Sequence, residues 1–292
     1  MFPFLPLFTI AQTPPTPQEI VRPQEVRPLP GQLDNIPVFN SNSPEVVIEE
    51  GILLSTFPPN NKTNQNAHLN YPLQGRFDIF AHHISKATEE NGLRTLYIGI
   101  LLHNPTDKTV TIDVLPAASY LSQPDAPFIE LPSKLPNPTG SVYAGPGSRA
   151  MSDILRGMRQ ETIPNQLVIP PRESRMLLNL PIPISTLEPP INGRSTYIRL
   201  NSDGEVYAAS LAMFAPIDNI GNERQPTLEE WERVLENGQL ATPRDRVPTP
   251  PDSTDGSFIY GRVAGVAKGS QWQAELIDNP NNRTLSIPAQ GK

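Results

Sequence analysis

Residues 96–114 read LYIGILLHNPTDKTVTIDV. Leu96, Ile98, Ile100 and Leu102 alternate with Tyr97, Gly99, Leu101 and His103. After the polar run Asn104-Pro105-Thr106-Asp107-Lys108, Val110, Ile112 and Val114 alternate with Thr109, Thr111 and Asp113. Successive strand side chains point to opposite faces, so a period of two builds one aliphatic face and one mixed face. Two such runs about a short polar turn predict a hairpin, and its aliphatic face requires a second layer to cover it.

The same pattern extends outward. Leu167-Val168-Ile169 meets a turn at Pro170-Pro171-Arg172-Glu173-Ser174, followed by alternating Met176, Leu178, Leu180 and Ile182. Thr196–Leu200 runs into Asn201-Ser202-Asp203-Gly204 and then Val206–Ala215. An Asp-Gly pair suits the positive φ of a tight turn, so a third hairpin is expected there. The 36 prolines disfavour long helices, because proline lacks a backbone donor and fixes φ. The reading is mainly β, an immunoglobulin-like β-sandwich with two short helices. One helix is expected over Met151–Arg159, with Met151, Ile154, Leu155 and Met158 on one face. The other starts at Thr227, where Glu230 completes a capping box, and passes Trp231, Val234 and Leu235 to stop at Gly238.

Five regions follow. Residues 1–11 resemble the end of a signal peptide: an apolar run from Phe2 to Ile10, small residues at Thr9 and Ala11, but no basic residue before Arg22. The run is too short, and too interrupted by Pro3 and Pro6, for a transmembrane helix. Residues 12–30 form a proline-rich tether, 31–220 the β domain, 221–256 a helix and linker, and 257–292 the start of a second β region. That last region reads as incomplete, because Leu285-Ser286-Ile287-Pro288 parallels Leu167-Val168-Ile169-Pro170 with no strand after it. An extracytoplasmic location is expected: periplasm, outer envelope or secreted.

Three phrases carry a resemblance: VRPQEVRPLPGQLDNIPVFNSNSPEVV (21–47), VYAGPGSRAMSDILRGMR (142–159) and GRVAGVAKGSQW (261–272). They resemble a cyanobacterial family of exported proteins described only as domain of unknown function 3370. The resemblance implies a signal peptide and a longer C-terminal β region. It implies no activity and no catalytic residues.

Charge and composition narrow the function. A net charge of −7 argues against a nucleic-acid partner. The absence of cysteine removes disulfides, thiolate nucleophiles and cysteine metal sites. His82 and His83 are neighbours, so on a strand they face opposite ways and only one, His82 or His83, is available to join His103 at a metal, with a carboxylate such as Asp107 or Asp78 completing the set. No cofactor is expected; Asp203, and Asp252 with Asp255, sit in turns that offer oxygen ligands to Ca²⁺ as the alternative, without EF-hand spacing. Ala144-Gly145-Pro146-Gly147 precedes a helix but lacks a phosphate-loop pattern. Trp272, Tyr97 and Tyr207 are candidate stacking residues for a sugar. With no G-x-S-x-G motif, the expectation is not an enzyme but a structural or protein-binding module, with a glycan-binding module and a metal-dependent hydrolase as alternatives. Envelope proteins or surface polysaccharide are the expected partners.

Overall fold

The structure, a computed structural model, describes residues 31–244 and 263–273. In chain order its strands are β1 (Gln32–Leu33), β2 (Pro37–Ser41), β3 (Val46–Val47), β4 (Gly51–Ser55), β5 (Leu73–Lys86), β6 (Leu96–His103), β7 (Val110–Leu121), β8 (Gln166–Ile169), β9 (Ser174–Ile182), β10 (Ile191–Phe214), β11 (Ala264–Lys268) and β12 (Trp272–Gln273). The helices are α1 (Pro146–Leu155) and α2 (Leu228–Asn237). Ten strands share one open, mixed sheet, and β1 pairs with β12 apart from it. The fold is mainly β, as the alternation requires.

The predicted strands form, but the predicted hairpins do not. β6 pairs with β10 on one side and β9 on the other, and β7 pairs with β10 and β8. The third turn is absent: Ile191 to Phe214 is a single strand of 24 residues. Its first half lies between β5 and β7, with Tyr197 opposite Phe80 and Ala118. Its second half lies beside β6, with Tyr207 opposite His103 and Phe214 opposite Leu96. Alternation specifies which side chains share a face, not which strand lies alongside. A long strand buried on both faces offers β6 and β7 more pairing than they offer each other.

Gly204 is therefore not a turn glycine. A Cβ there would stand 2.6 Å from Val110 Cγ2, so close approach explains it. The three connecting segments meet at this bend. Asn104, fully buried, donates through Nδ2 to the carbonyls of Lys108, Ile169 and Pro170 at 2.7, 3.0 and 3.0 Å. Its Oδ1 accepts from the Thr106 N–H at 2.9 Å. Arg172 pairs with Asp107 at 2.8 Å, and Asp203 accepts from the Thr111 N–H at 2.8 Å. Even-numbered β6 residues and Ile198, Leu200, Ala208 and Phe214 of β10 join Phe77, Ile79, Ile112 and Val114 in one core.

The opposite face of β6 and β10 is covered by α2. Thr227 Oγ1 accepts from the Glu230 N–H, and Glu230 accepts from the Thr227 N–H, so the expected capping box is present. The bidentate Arg224 contact holds the Glu230 carboxyl down to about 2. Trp231 is fully buried and its ring lies over Gly99, where a Cβ would be 2.8 Å from Trp231 Cε2. At the helix end, a Cβ on Gly238 would strike the Val234 carbonyl at 2.4 Å.

Helix α1 starts five residues before the expected Met151 and ends at Leu155. Pro146 occupies the first helical position, where its missing N–H costs nothing. Gly157, with φ of 72°, ends the helix. Ile154 is buried, whereas Leu155 and Met158 are exposed. Asp153 and Arg156 do not pair: Asp153 accepts from Tyr120 Oη at 2.6 Å, and Arg156 donates to the Asn137 and Pro138 carbonyls. Among the described residues, no helix is long and apolar enough to cross a membrane.

Of the described part of 257–292, β11 extends the ten-stranded sheet antiparallel to β2, and β12 pairs with β1. Buried Asp78 anchors it. Its carboxylate accepts from Tyr197 Oη at 2.8 Å and from Ser270 Oγ, and pairs with Arg76 at 2.5 Å.

Replacing Asn104 by Ala or Asp removes three hydrogen bonds that tie the two connections, including the buried one to the Ile169 carbonyl, and is expected to lower stability by about 3 kcal/mol, read from denaturant midpoints at unchanged m. Gly99→Ala is expected to cost about 1–3 kcal/mol through overpacking against Trp231, with displacement of the Trp231 ring visible as a shift in tryptophan fluorescence. Asp78→Asn is expected to raise amide exchange across 264–273 before the rest of the sheet.

Candidate functional site

The three histidines of 82–103 occupy three different places. On β5 the residues Phe77, Ile79 and Ala81 face the core, so His83 follows them inward and His82 faces out. His83 is fully buried. Its Nδ1 donates to the Pro44 carbonyl at 2.8 Å and its Nε2 accepts from Ser41 Oγ at 2.9 Å. Desolvation pushes its pKa down to about 3, so the ring is neutral. His82 bonds Ser195 and Glu45. His103 bonds Ser174 Oγ at 3.1 Å at the far end of β6. His83 and His103 thus have separate partners. Among the described residues no three His, Asp or Glu side chains converge. Asp203 is engaged by Thr111, and Asp252 and Asp255 lie outside the described residues.

His103 does meet another candidate. The register puts Tyr207 beside it, and Phe57 packs between them with ring centroids 5.6 Å from each. Phe57 is held by its own backbone: its N–H donates to Ser55 Oγ at 3.2 Å and its carbonyl accepts from the Asn70 N–H at 3.0 Å. These rings floor a cleft of about 530 Å³. Its rim carries Asn60, Lys62, Arg172, Ser174, Glu232 and Glu236. Lys62 Nζ lies 5.7 Å from the Phe57 centroid. Burial, then Lys62, then Arg172 lowers the His103 pKa, so this imidazole is a neutral hydrogen-bonding group at pH 7.

The cleft combines apolar ring faces with amide, cationic and carboxylate groups, the composition of a site for a compact polar ligand with apolar faces. Tyr97 shares this face of β6 but sits opposite Met213, and Trp272 is half-buried opposite Leu33 on the separate two-stranded sheet. Neither lines the cleft. The sequence reading missed Phe57, Lys62, Arg172, Glu232 and Glu236. The one local signal was Phe57-Pro58-Pro59-Asn60-Asn61-Lys62, an aromatic followed by rigid and polar loop residues.

His83 makes stability depend on pH. Its folded pKa lies below its unfolded value, so its contribution is complete above about pH 6.5 and is lost as pH falls toward 3. The wild type is expected to lose roughly 2 kcal/mol by pH 5 from this group. Thermal melts of wild type and His83→Gln check this: the variant should show the smaller slope between pH 7 and pH 5.

No curated protein and no solved structure matches the chain. One family model does, described as Protein of unknown function (DUF3370), over residues 24–292. With nearly the whole chain matched, the protein belongs to the DUF3370 family.

Proposed function

We propose that the protein is an exported cell-envelope module that binds carbohydrate in the Phe57–His103–Tyr207 cleft. The aromatic trio floored into a concave site carries this reading. Pyranose rings present apolar C–H faces that pack on aromatic rings and hydroxyls that need amide and charged partners, and this rim offers both. The apolar run followed by small residues at the start of the chain supports export. The single core shared by both halves of the sheet supports a sandwich-type scaffold.

A glycan array followed by calorimetry on the best binder tests the reading. Tyr207→Ala and Lys62→Ala are each expected to weaken binding about tenfold, equivalent to about 1.4 kcal/mol, with the melting temperature little changed. An array without a binder, or affinity untouched by both substitutions, overturns it.

A protein-binding surface is the second reading. Phe128, Ile129, Leu131 and Leu135 lie together in sequence and are 74, 53, 39 and 46% exposed. An exposed apolar stretch of this kind marks an interaction site. Ile129→Ser with Leu131→Ser should abolish cross-linking to envelope proteins and leave sugar binding intact if both surfaces operate.

A further inference from the structure

A second constellation lies on the outward face of β5 and β10, away from the core. His82 and Ser195 are directly opposite each other in register. Glu45 precedes β3, which runs parallel to β5 with Val46 opposite Ile84. Three adjacent strands therefore set Glu45, His82 and Ser195 in a row. Ser195 Oγ is 2.8 Å from His82 Nδ1, and His82 Nε2 is 3.3 Å from Glu45 Oε1. An ionised carboxylate only accepts, so Nε2 carries the proton and Nδ1 accepts from the Ser195 hydroxyl. A serine hydroxyl on an imidazole whose other nitrogen faces a carboxylate is the arrangement of an activated oxygen nucleophile.

The surroundings complete it. His82 and Glu45 line a cleft of about 380 Å³ with Ile84, Phe128, Pro146 and Ile191 and the polar Gln123 and Asn192, room for a short acyl group. Ser195 Oγ lies 3.6 Å from the point where a Cβ on Gly147 would stand, and outside the flanking residues and backbone of α1 itself no other heavy atom lies within 4 Å of that point. Gly147 and Ser148 are in the first turn of α1, where backbone N–H groups have no partner within the helix. Ser195 is 2% exposed and does not itself line that cleft, so acylation requires the Gly147 end of α1 to move away from it.

We propose that Ser195, His82 and Glu45 form a site that hydrolyses carboxylic esters of short apolar acyl groups. This goes beyond the carbohydrate reading and does not depend on it. Ser195 Oγ attacks the ester carbonyl while its proton passes to His82 Nδ1. The C=O electron pair moves to oxygen, facing the N–H groups of Gly147 and Ser148. The bond to the alkoxide breaks, and His82 returns the proton to release the alcohol. Water repeats the cycle on the acyl-serine, giving the carboxylic acid and free Ser195. Glu45 orients the imidazole and stabilises its protonated form, as a positioning residue.

The test uses the full chain with p-nitrophenyl acetate and butyrate, read by nitrophenol release and by mass mapping of the acyl adduct. The expected result is an adduct on Ser195 that is absent in Ser195→Ala. His82→Ala should lower turnover by about 10²-fold or more, and Glu45→Gln should lower kcat with little change in KM. Gly147→Ala is the separate control. It sits in ordinary contact range at a helical position, so it should fold as the wild type does while crowding Ser195 Oγ and cutting acylation about tenfold. Turnover equal in wild type and Ser195→Ala, or adducts on other residues only, overturns the proposal and makes the row a hydrogen-bonded brace between β5 and β10.

Discussion

The structure depends on one strand being long enough to serve two neighbourhoods. β10 runs 24 residues, pairing first with β5 and β7 and then with β6 and β4. Where it changes partners, its register shifts between Ser202 and Val206. A register irregularity of this kind bends a strand and strengthens its twist. Two other connections cross at the same place, and buried Asn104 ties them together through the Lys108, Ile169 and Pro170 carbonyls. Its amide suits the task because one side chain there both donates and accepts.

From this bend the rest is positioned. The second half of β10 and β6 present an aliphatic face to the core and a mixed aliphatic and aromatic one to α2. Gly99 gives Trp231 its seat, and α2 in turn places Glu232 and Glu236 on the rim of the Phe57–His103–Tyr207 cleft. The first half of β10 faces outward with Ser195 and Tyr197, side chains that need polar partners when covered. Tyr197 finds Asp78, and the desolvation it suffers, reinforced by that carboxylate, pushes its pKa up. Ser195 finds His82. Both pairs lie across the β5–β10 seam, the polar counterpart of the apolar core beneath it.

The two sites use the same scaffold in different ways. The cleft under α2 gathers side chains from a loop, two sheet strands, a corner and a helix, so its shape follows from tertiary packing. The serine row uses side chains on neighbouring strands at matched register, so its spacing follows from sheet geometry.

Much of the fold was legible locally. Alternation marked β6, β7, β9 and both halves of β10, and the Thr227–Glu230 box located α2, because these are signals of one strand or one helical turn. The opposite faces of His82 and His83 followed from the same period of two. Pairing was not legible: Asn104–Lys108 and Asn201–Gly204 have turn chemistry, yet one crosses between strands that never pair and the other lies within a continuous strand. Glu45, His82 and Ser195 are far apart in sequence, as are Phe57, His103 and Tyr207. What the sequence by itself determined was the face each side chain takes and where α2 begins. What only the tertiary structure decided was which strand lies beside which, because backbone pairing uses the same N–H and C=O groups in every residue and carries no side-chain address.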